Sequence, residues 1–454
     1  MPRELGKGFR MEVLDKPSPS AAWRQRFVSN AESLRGAFFW LSAFYLVYCA
    51  RPEDWVPGLK YVPLAKITGI FALVALVLSA GRSKRSLRDL PREAFYLLAM
   101  IGMLVVAGAL SPVWKGGALS KTMEFAKVLV AWVLTFIVIT SFDRLRRVIF
   151  IQSASVAVIA IVSMFKGWGQ PRLEGVIGGI YSNPNDLAFA IVLSLPFCVA
   201  FLFHTKKLPR KLGWVLAMLA MCTALFLTAS RGGFITLLAT ATVGLWHFGV
   251  KGKRPQLIAA AALVALIVGV AAGGRLKDRF FAISGSDLND QIDVSAHGSY
   301  QQRRLLMVQS LETVAHYPLG IGLGNFPNYS GSWREVHVAY LQIAVEGGIM
   351  AAIFYLLFFG RGFSNLTRLR RMGGVDEETD LFAGALHTSL IGFVVGALFA
   401  PEAYQFFPYF AVAYTSVLLA IARERLQTDG PVDVPARPQW KRKYVRAGDL
   451  TSVQ

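Results

Sequence analysis

The chain repeatedly runs for close to 20 residues with almost no charge, as around 94–110, 148–165, 187–203 and 404–421. An α-helix needs about 20 apolar residues to cross a hydrocarbon layer about 30 Å thick, and inside that layer the backbone must satisfy its own polar groups. Composition agrees: 54% of the 454 residues are hydrophobic, 17% are charged, and the mean hydropathy is +0.46. Soluble folds are excluded, and so is a membrane β-barrel, whose strands of about 10 residues would alternate apolar and polar. The predicted fold is an all-α polytopic membrane protein of about 12 transmembrane helices. The spans are expected at 35–50, 64–80, 94–110, 122–140, 148–165, 187–203, 212–229, 232–248, 256–273, 338–359, 382–400 and 404–421. One long loop, 274–336, separates the ninth and tenth, and its stretch Ser299–His316 has the periodicity of an amphipathic helix with Leu305, Val308, Leu311 and Ala315 on one face.

The net charge of +20 has two readings, nucleic acid or membrane topology, and the distribution of charge decides between them. An even number of spans places both termini on one side, where the segments hold 33 of the 48 Lys and Arg, counting Arg35 at the edge of the first span. The positive-inside rule makes that side cytoplasmic. The charge therefore sets orientation and contact with anionic membrane lipids, and no nucleic-acid partner is expected. Basic tails at 1–34 and 422–454 flank a transmembrane domain at 35–421, and the first tail lacks the features of a cleaved signal peptide. Cys49, Cys198 and Cys222 fall in or beside apolar spans, without disulfide or zinc spacing. There is no HExxH and no cluster of carboxylates on the outer face, so no metal or other cofactor is predicted.

Three outer-face features carry possible chemistry. In Thr228-Ala-Ser-Arg231-Gly-Gly233 two spans meet with almost no loop. An arginine there either reaches an anion or snorkels to the interface while Gly232 and Gly233 make the turn. Gly320-Ile-Gly322-Leu-Gly324 offers backbone N–H groups to a phosphate, or is a plain turn. His337 stands where the long loop enters the tenth span, with Ala344 and Gly348 within about 20° of its direction on an ideal helix. Small residues there leave room for a substrate, whereas Glu346 on the opposite face reads as a packing carboxylate. In Tyr181-Ser-Asn183-Pro-Asn185-Asp186, either Asn185 or Asp186 caps the sixth span.

Taken in order, Ser182-Asn-Pro-Asn185, Thr228-Ala-Ser-Arg-Gly-Gly233, Arg304-Leu-Leu-Met-Val308, Pro318-Leu-Gly-Ile-Gly-Leu-Gly324-Asn-Phe326 and His337 resemble the O-antigen ligase and O-antigen polymerase superfamily. The resemblance covers roughly 170–355. Val338 stands where the ligases carry a polar residue after the histidine; Gly348 matches, and Ala351 replaces their last glycine. The resemblance implies glycan transfer at the outer face of the bacterial inner membrane, from an undecaprenyl-diphosphate-linked donor to an acceptor hydroxyl on a glycan, lipid or protein, without metal or nucleotide. It implies that Arg231 and Arg304 hold the departing diphosphate, with Arg303 taking the role if helix phase turns it inward. It makes His337 the base. Arg172, Asn183, Asn185, Gly322, Gly324 and Gly348 are expected to support the site.

Two other classes compete. A secondary transporter or flippase of polysaccharide precursors is expected to show mid-membrane charges in corresponding halves, and the Glu124–Lys127 pair has no counterpart. A scaffold gives no reason for arginines and a histidine to gather on one face. The charge distribution makes a direct prediction: reporter fusions after residues 90, 208 and 370 report cytoplasm, and fusions after 170 and 290 report the outer compartment. A cytoplasmic signal at 290 contradicts the assigned topology.

Overall fold

Eleven of the expected spans coincide with helices in the computed structural model, which describes residues 34–259 and 291–429 apart from 80–82, 168, 170, 171, 174, 176–179, 182, 333, 373 and 374. The ninth expected span lies almost wholly outside the described residues, as do Asp287, Asp290 and most of both tails. In chain order the helices are α1 (Arg35–Ala50), α2 (Leu64–Leu78), α3 (Arg92–Leu110), α4 (Lys115–Val138), α5 (Phe142–Lys166), α6 (Pro184–His204), α7 (Leu208–Thr228) and α8 (Arg231–Gly244, extended by a π-helical turn Leu245–Lys251). They are followed by α9 (Gln291–His316), α10 (Ala339–Arg371), α11 (Glu377–Gly396) and α12 (Phe406–Asp429). No strand occurs among the described residues.

Eight of these helices, α3, α5, α6, α7, α8, α10, α11 and α12, are long and apolar enough to cross a membrane, and the chain is a multi-pass membrane protein. The helices α1 and α2 are shorter, at 16 and 15 residues. Burial orders the bundle: α6 and α12 bury 72% and 78% of their most apolar windows and lie at its centre, while α7 and α8 bury 28% and lie at its edge. Outward side chains such as Ile70, Val77 and Leu78 of α2 are apolar, as contact with lipid requires. Inside, Glu93 of α3 accepts from the Asn365 amide of α10 and the Ser416 hydroxyl of α12, and Arg361 lies 3.7 Å away. A buried carboxylate held by three partners ties three helices in a medium where an unpaired one is costly.

Two boundaries and one face differ from the sequence expectation. Helix α9 begins at Gln291, eight residues before Ser299, and α12 runs past 421 to Asp429. On α9 the expected apolar face points outward: Leu305, Val308 and Leu311 are exposed, and Leu306, Ser310 and Thr313 are buried. The surface beneath α9 is a small core of Leu306, Ile321, Phe326, Val336 and Val345, into which α9 contributes one leucine. Val314 packs at its edge, and Leu305, Met307, Val308 and Leu311 face away.

The largest departure is in α10, expected as one straight span. At Gly348 the backbone takes φ 82° and ψ 173°, and the helix breaks. Tyr340 and Tyr355 flank the break with ring centroids 6.2 Å apart, whereas 15 residues of continuous helix would separate them by about 22 Å. The segment Ala339–Gly347 thus folds back along the second half of α10 as a re-entrant arm. In an unbroken helix Ile349 N–H would donate to Val345; here it donates to the Pro318 carbonyl at 2.9 Å. The freed Val345 and Glu346 carbonyls accept from Ile321 N–H (3.0 Å) and Gly322 N–H (2.9 Å). The glycine-rich loop supplies the partners that the helix gives up.

No side chain fits at the break. A Cβ on Gly348 would lie 2.6 Å from the Pro318 oxygen and from the Leu319 carbonyl carbon, in a backbone region open essentially to glycine alone. Gly348→Ala is expected to lower membrane abundance and thermal midpoint, consistent with a cost of at least about 1–3 kcal/mol. Gly360→Ala, on the same helix with nothing within 4 Å of the added carbon, is expected to leave both unchanged or raised. Equal behaviour of the two variants in a thermal-shift measurement contradicts the break.

Candidate functional site

The turn from α7 to α8 builds one wall. Ala229 adopts the left-handed conformation, φ 50°, and ends α7; Ser230 Oγ accepts the Gly233 N–H at 3.1 Å and caps α8, whose first residue is Arg231. The glycines therefore do not make the turn, as the sequence suggested. A Cβ on Gly232 would meet Phe399 Cβ at 2.7 Å and one on Gly233 would meet Ala188 Cβ at 2.7 Å, so both serve close packing. Capping of α6 also differs from expectation: Asn183 Oδ1 accepts the Asn185 N–H at 2.9 Å, and Asn185 Oδ1 accepts the Ser230 hydroxyl at 2.7 Å. The two motifs are one structure, with Asn185 bracing the cap that precedes Arg231. Arg172 donates from Nε to the Thr228 carbonyl at 3.1 Å, and Leu173 N–H donates to Leu227, which straps the preceding segment onto the end of α7.

Across from this wall stand α9 and His337. On α9 it is Arg303, three residues before buried Leu306, that turns inward and is half-buried; Arg304, a further 100° round the helix, is exposed. Helix phase thus turns Arg303 inward, the condition on which the sequence made it the alternative to Arg304. Burial, and then the charge of Arg231, lower the Arg303 pKa. Its Nε is buried without a hydrogen-bond partner. His337 is half-buried, two residues before α10, and its Nδ1 is likewise buried without a partner. Burial first, then the charges of Arg303 and Arg334, hold the imidazole down to about 4. Arg231, Arg303, Arg334 and His337 thus come together, with two ring or guanidine nitrogens unmatched.

His337 does not belong to the α10 helix, which begins at Ala339, so the expected alignment with Ala344 and Gly348 does not hold. Gly348 makes the break in α10. Gly322 and Gly324 also have structural duties, with φ of 91° and 72°. Gly322 N–H goes to the Glu346 carbonyl, and Gly324 N–H goes to Glu346 Oε1 at 2.9 Å. Asn325 locks the loop to the α3–α4 turn through Ser111 Oγ (2.8 Å) and the Trp114 carbonyl (3.2 Å). The N–H groups of Ile321, Gly322 and Gly324 are thus taken by the fold. Glu346, read from the sequence as a packing carboxylate, braces this loop through that bond.

An acidic wall completes the site, where the sequence reading expected no outer-face carboxylate cluster. Asp186, Glu335, Glu346 and Glu402 act on one another electrostatically, with Lys121 beside Glu335 and Glu346. Burial raises the Glu335 pKa against the pull of Lys121. Lys121 Nζ also donates to the Gly324 carbonyl at 3.3 Å. These residues come from five separate stretches, so no local motif points to them; Arg334 is signalled only by its nearness to His337. No group of three metal-ligating side chains assembles among the described residues.

Residues 216–356 match the family model described as O-antigen ligase, and no curated protein matches the chain. The matched segment runs from within α7 to beyond the break in α10 and contains Arg231, Arg303, Arg304, the glycine-rich loop and His337. Arg172, Asn183, Asn185 and Glu402 lie outside it.

His337 provides a check on the site electrostatics. With its pKa depressed, it stays neutral from physiological pH down to about 4 in the free protein. Arg303→Gln removes one of the cations that disfavour the imidazolium and is expected to raise that pKa part of the way toward its ordinary value, since burial remains. Histidine-selective nitrogen NMR across pH reads both values; a wild-type His337 titrating near its ordinary value contradicts the geometry.

Proposed function

We propose, from the match of residues 216–356 to the O-antigen ligase family model, that the chain acts in surface polysaccharide synthesis with the O-antigen ligase and polymerase superfamily, and that it transfers a glycan from undecaprenyl diphosphate to an acceptor hydroxyl at the outer face of the inner membrane, with both termini cytoplasmic. The observation that carries this reading is the pairing of Arg231 with Arg303 beside a neutral His337, with Arg303 Nε and His337 Nδ1 both buried and unmatched. Two guanidinium groups that raise each other's energy are stabilised by a diphosphate between them, and arginine grips such oxygens through two parallel bonds.

The reaction follows from that placement. The acceptor hydroxyl gives its proton to the His337 imidazole as its oxygen bonds to the anomeric carbon. The bond from that carbon to the diphosphate oxygen breaks, and its electron pair stays on the diphosphate. Negative charge grows where Arg231 and Arg303 lie, which stabilises the transition state without moving the protein. The bound anion also offsets the cations that depress His337, so the imidazole becomes a stronger base only when donor is present. Arg172, Asn183 and Asn185 hold the Arg231 wall, and Gly322, Gly324 and Gly348 hold the His337 wall.

Arg231→Ala, Arg303→Ala and His337→Ala are each expected to lower transfer by about 10² or more at matched abundance, by analogy with losing one transition-state donor or a general base. Arg231→Lys and Arg303→Lys recover part of the loss, because a point charge cannot form the fork. Arg304→Ala is expected to stay within about threefold of wild type, as an exposed surface change. Full polymer yield from Arg303→Ala, with loss from Arg304→Ala instead, sinks the assignment. The glycans that accumulate on lipid in a deletion strain then separate the subclasses: single repeat units mark a polymerase and full-length chains a ligase.

A further inference from the structure

The acidic wall contains a contact that the transfer reading does not use. Asp186, near the start of α6, and Glu402, in the connection from α11 to α12, place their carboxyl groups in hydrogen-bond contact. Ionised carboxylates only accept, so this contact requires a proton on one of them. Glu402 is 2% exposed and its Oε1 has no partner. Beside it the Tyr355 hydroxyl is also fully buried and unpartnered. Among the described residues, the titratable groups whose charge acts on the pair are Glu335 from the approach to α10, Tyr48 from α1 and Tyr355 from α10. Burial, then Asp186 and Glu335, hold the Glu402 carboxyl well above its usual range.

The pair also lies where the two walls join. Asp186 follows Asn185, which accepts from Ser230, the cap one residue before Arg231. On the other side Ala403 N–H, next to Glu402, donates to Gln342 Oε1 of the re-entrant arm at 3.3 Å, and Ala339 N–H donates to the Ala397 carbonyl at 2.8 Å. His337 is two residues from that second anchor. One short path therefore leads from the guanidinium, through the carboxyl pair, to the imidazole.

We propose that Asp186 and Glu402 share a single proton and act as positioning residues, their carboxyl–carboxylate bond fixing Arg231 and His337 at one separation. Loss of that proton leaves two like charges in contact, and the walls separate. The folded protein binds one proton that the unfolded chain, with ordinary carboxyls, has released at neutral pH. Stability therefore falls as pH rises above the ordinary carboxyl range, until the pair ionises. The positioning half of the proposal rests on the transfer reading, but the shared proton does not.

The full-length protein in lipid nanodiscs tests both. Infrared spectra at neutral pH are expected to contain a protonated-carboxyl band that is lost in Glu402→Gln, whose amide donates to Asp186 as the protonated acid does. The thermal midpoint of wild type falls with rising pH, and that slope flattens in the variant. In a transfer assay Glu402→Ala loses about tenfold or more, Glu402→Gln recovers most of it, and the alkaline limb of the wild-type pH profile disappears in Glu402→Gln. An unchanged carboxyl band, or an unchanged pH slope of stability, overturns the shared proton. Equal losses in Glu402→Gln and Glu402→Ala overturn the positioning role. Wild-type protein with no transfer from a lipid-diphosphate glycan overturns the function proposed above, while the infrared band still decides the pair.

Discussion

The site depends on an exchange of backbone hydrogen bonds at Gly348. A helix that breaks inside a membrane strands carbonyls and N–H groups that water cannot reach, each at a cost of several kcal/mol. Here the segment Pro318–Gly322 takes over the bonds that the break releases: Pro318 receives Ile349 N–H, and Ile321 and Gly322 donate to Val345 and Glu346. Loop and break require each other. Without the loop, the re-entrant arm would straighten into α10 and carry His337 away from Arg303. Without the break, the loop has no carbonyls to bind, and α9, which leads into it, has nothing to lie against.

This arrangement separates charge across a short distance. Arg231, Arg303 and Arg334 lie toward His337, and Glu335, Glu346, Glu402 and Asp186 lie toward the loop and α6. In water such a pattern would be screened, but at a half-buried membrane edge each charge acts over several ångströms. The depressed imidazole and the raised carboxyl of Glu402 have the same origin, burial first and like charges second. A transfer that sends negative charge to one partner and strips a proton from the other suits such a division.

Much of this was legible in the sequence, and the failures have physical causes. Lipid demands long apolar runs, so α3, α5, α6, α7, α8, α11 and α12 stand close to where hydropathy puts them. The gathering of Arg231 and His337 at one end followed from counting spans. Hydropathy does not register φ, however, so Gly348 passed for a small residue on a helix face when it was the point of the break. Arg303 and Arg304 differ by one residue and 100°, and between 301 and 316 the exposed face of α9 carries more apolar side chains than its buried one, which inverts the usual rule. The contact between Asp186 and Glu402 spans most of the bundle in sequence and leaves no periodic trace.

The glycine-rich loop clarifies why the cations must be arginines. Backbone N–H groups in glycine turns are a common way to hold phosphate, and three glycines between Gly320 and Gly324 invite that reading. In this fold the N–H groups of Ile321 and Gly322 close the break, and that of Gly324 holds Glu346. On the proposed reaction, side-chain charge is then what meets the leaving diphosphate in place of these three N–H groups. Of the two cationic side chains, guanidinium keeps its charge when burial and a like charge lower its pKa, because its starting value is so high; a buried lysine in the place of Arg303, beside Arg231, would be pushed toward neutrality. The demand for backbone donors at the break therefore passes to the site as a demand for arginine.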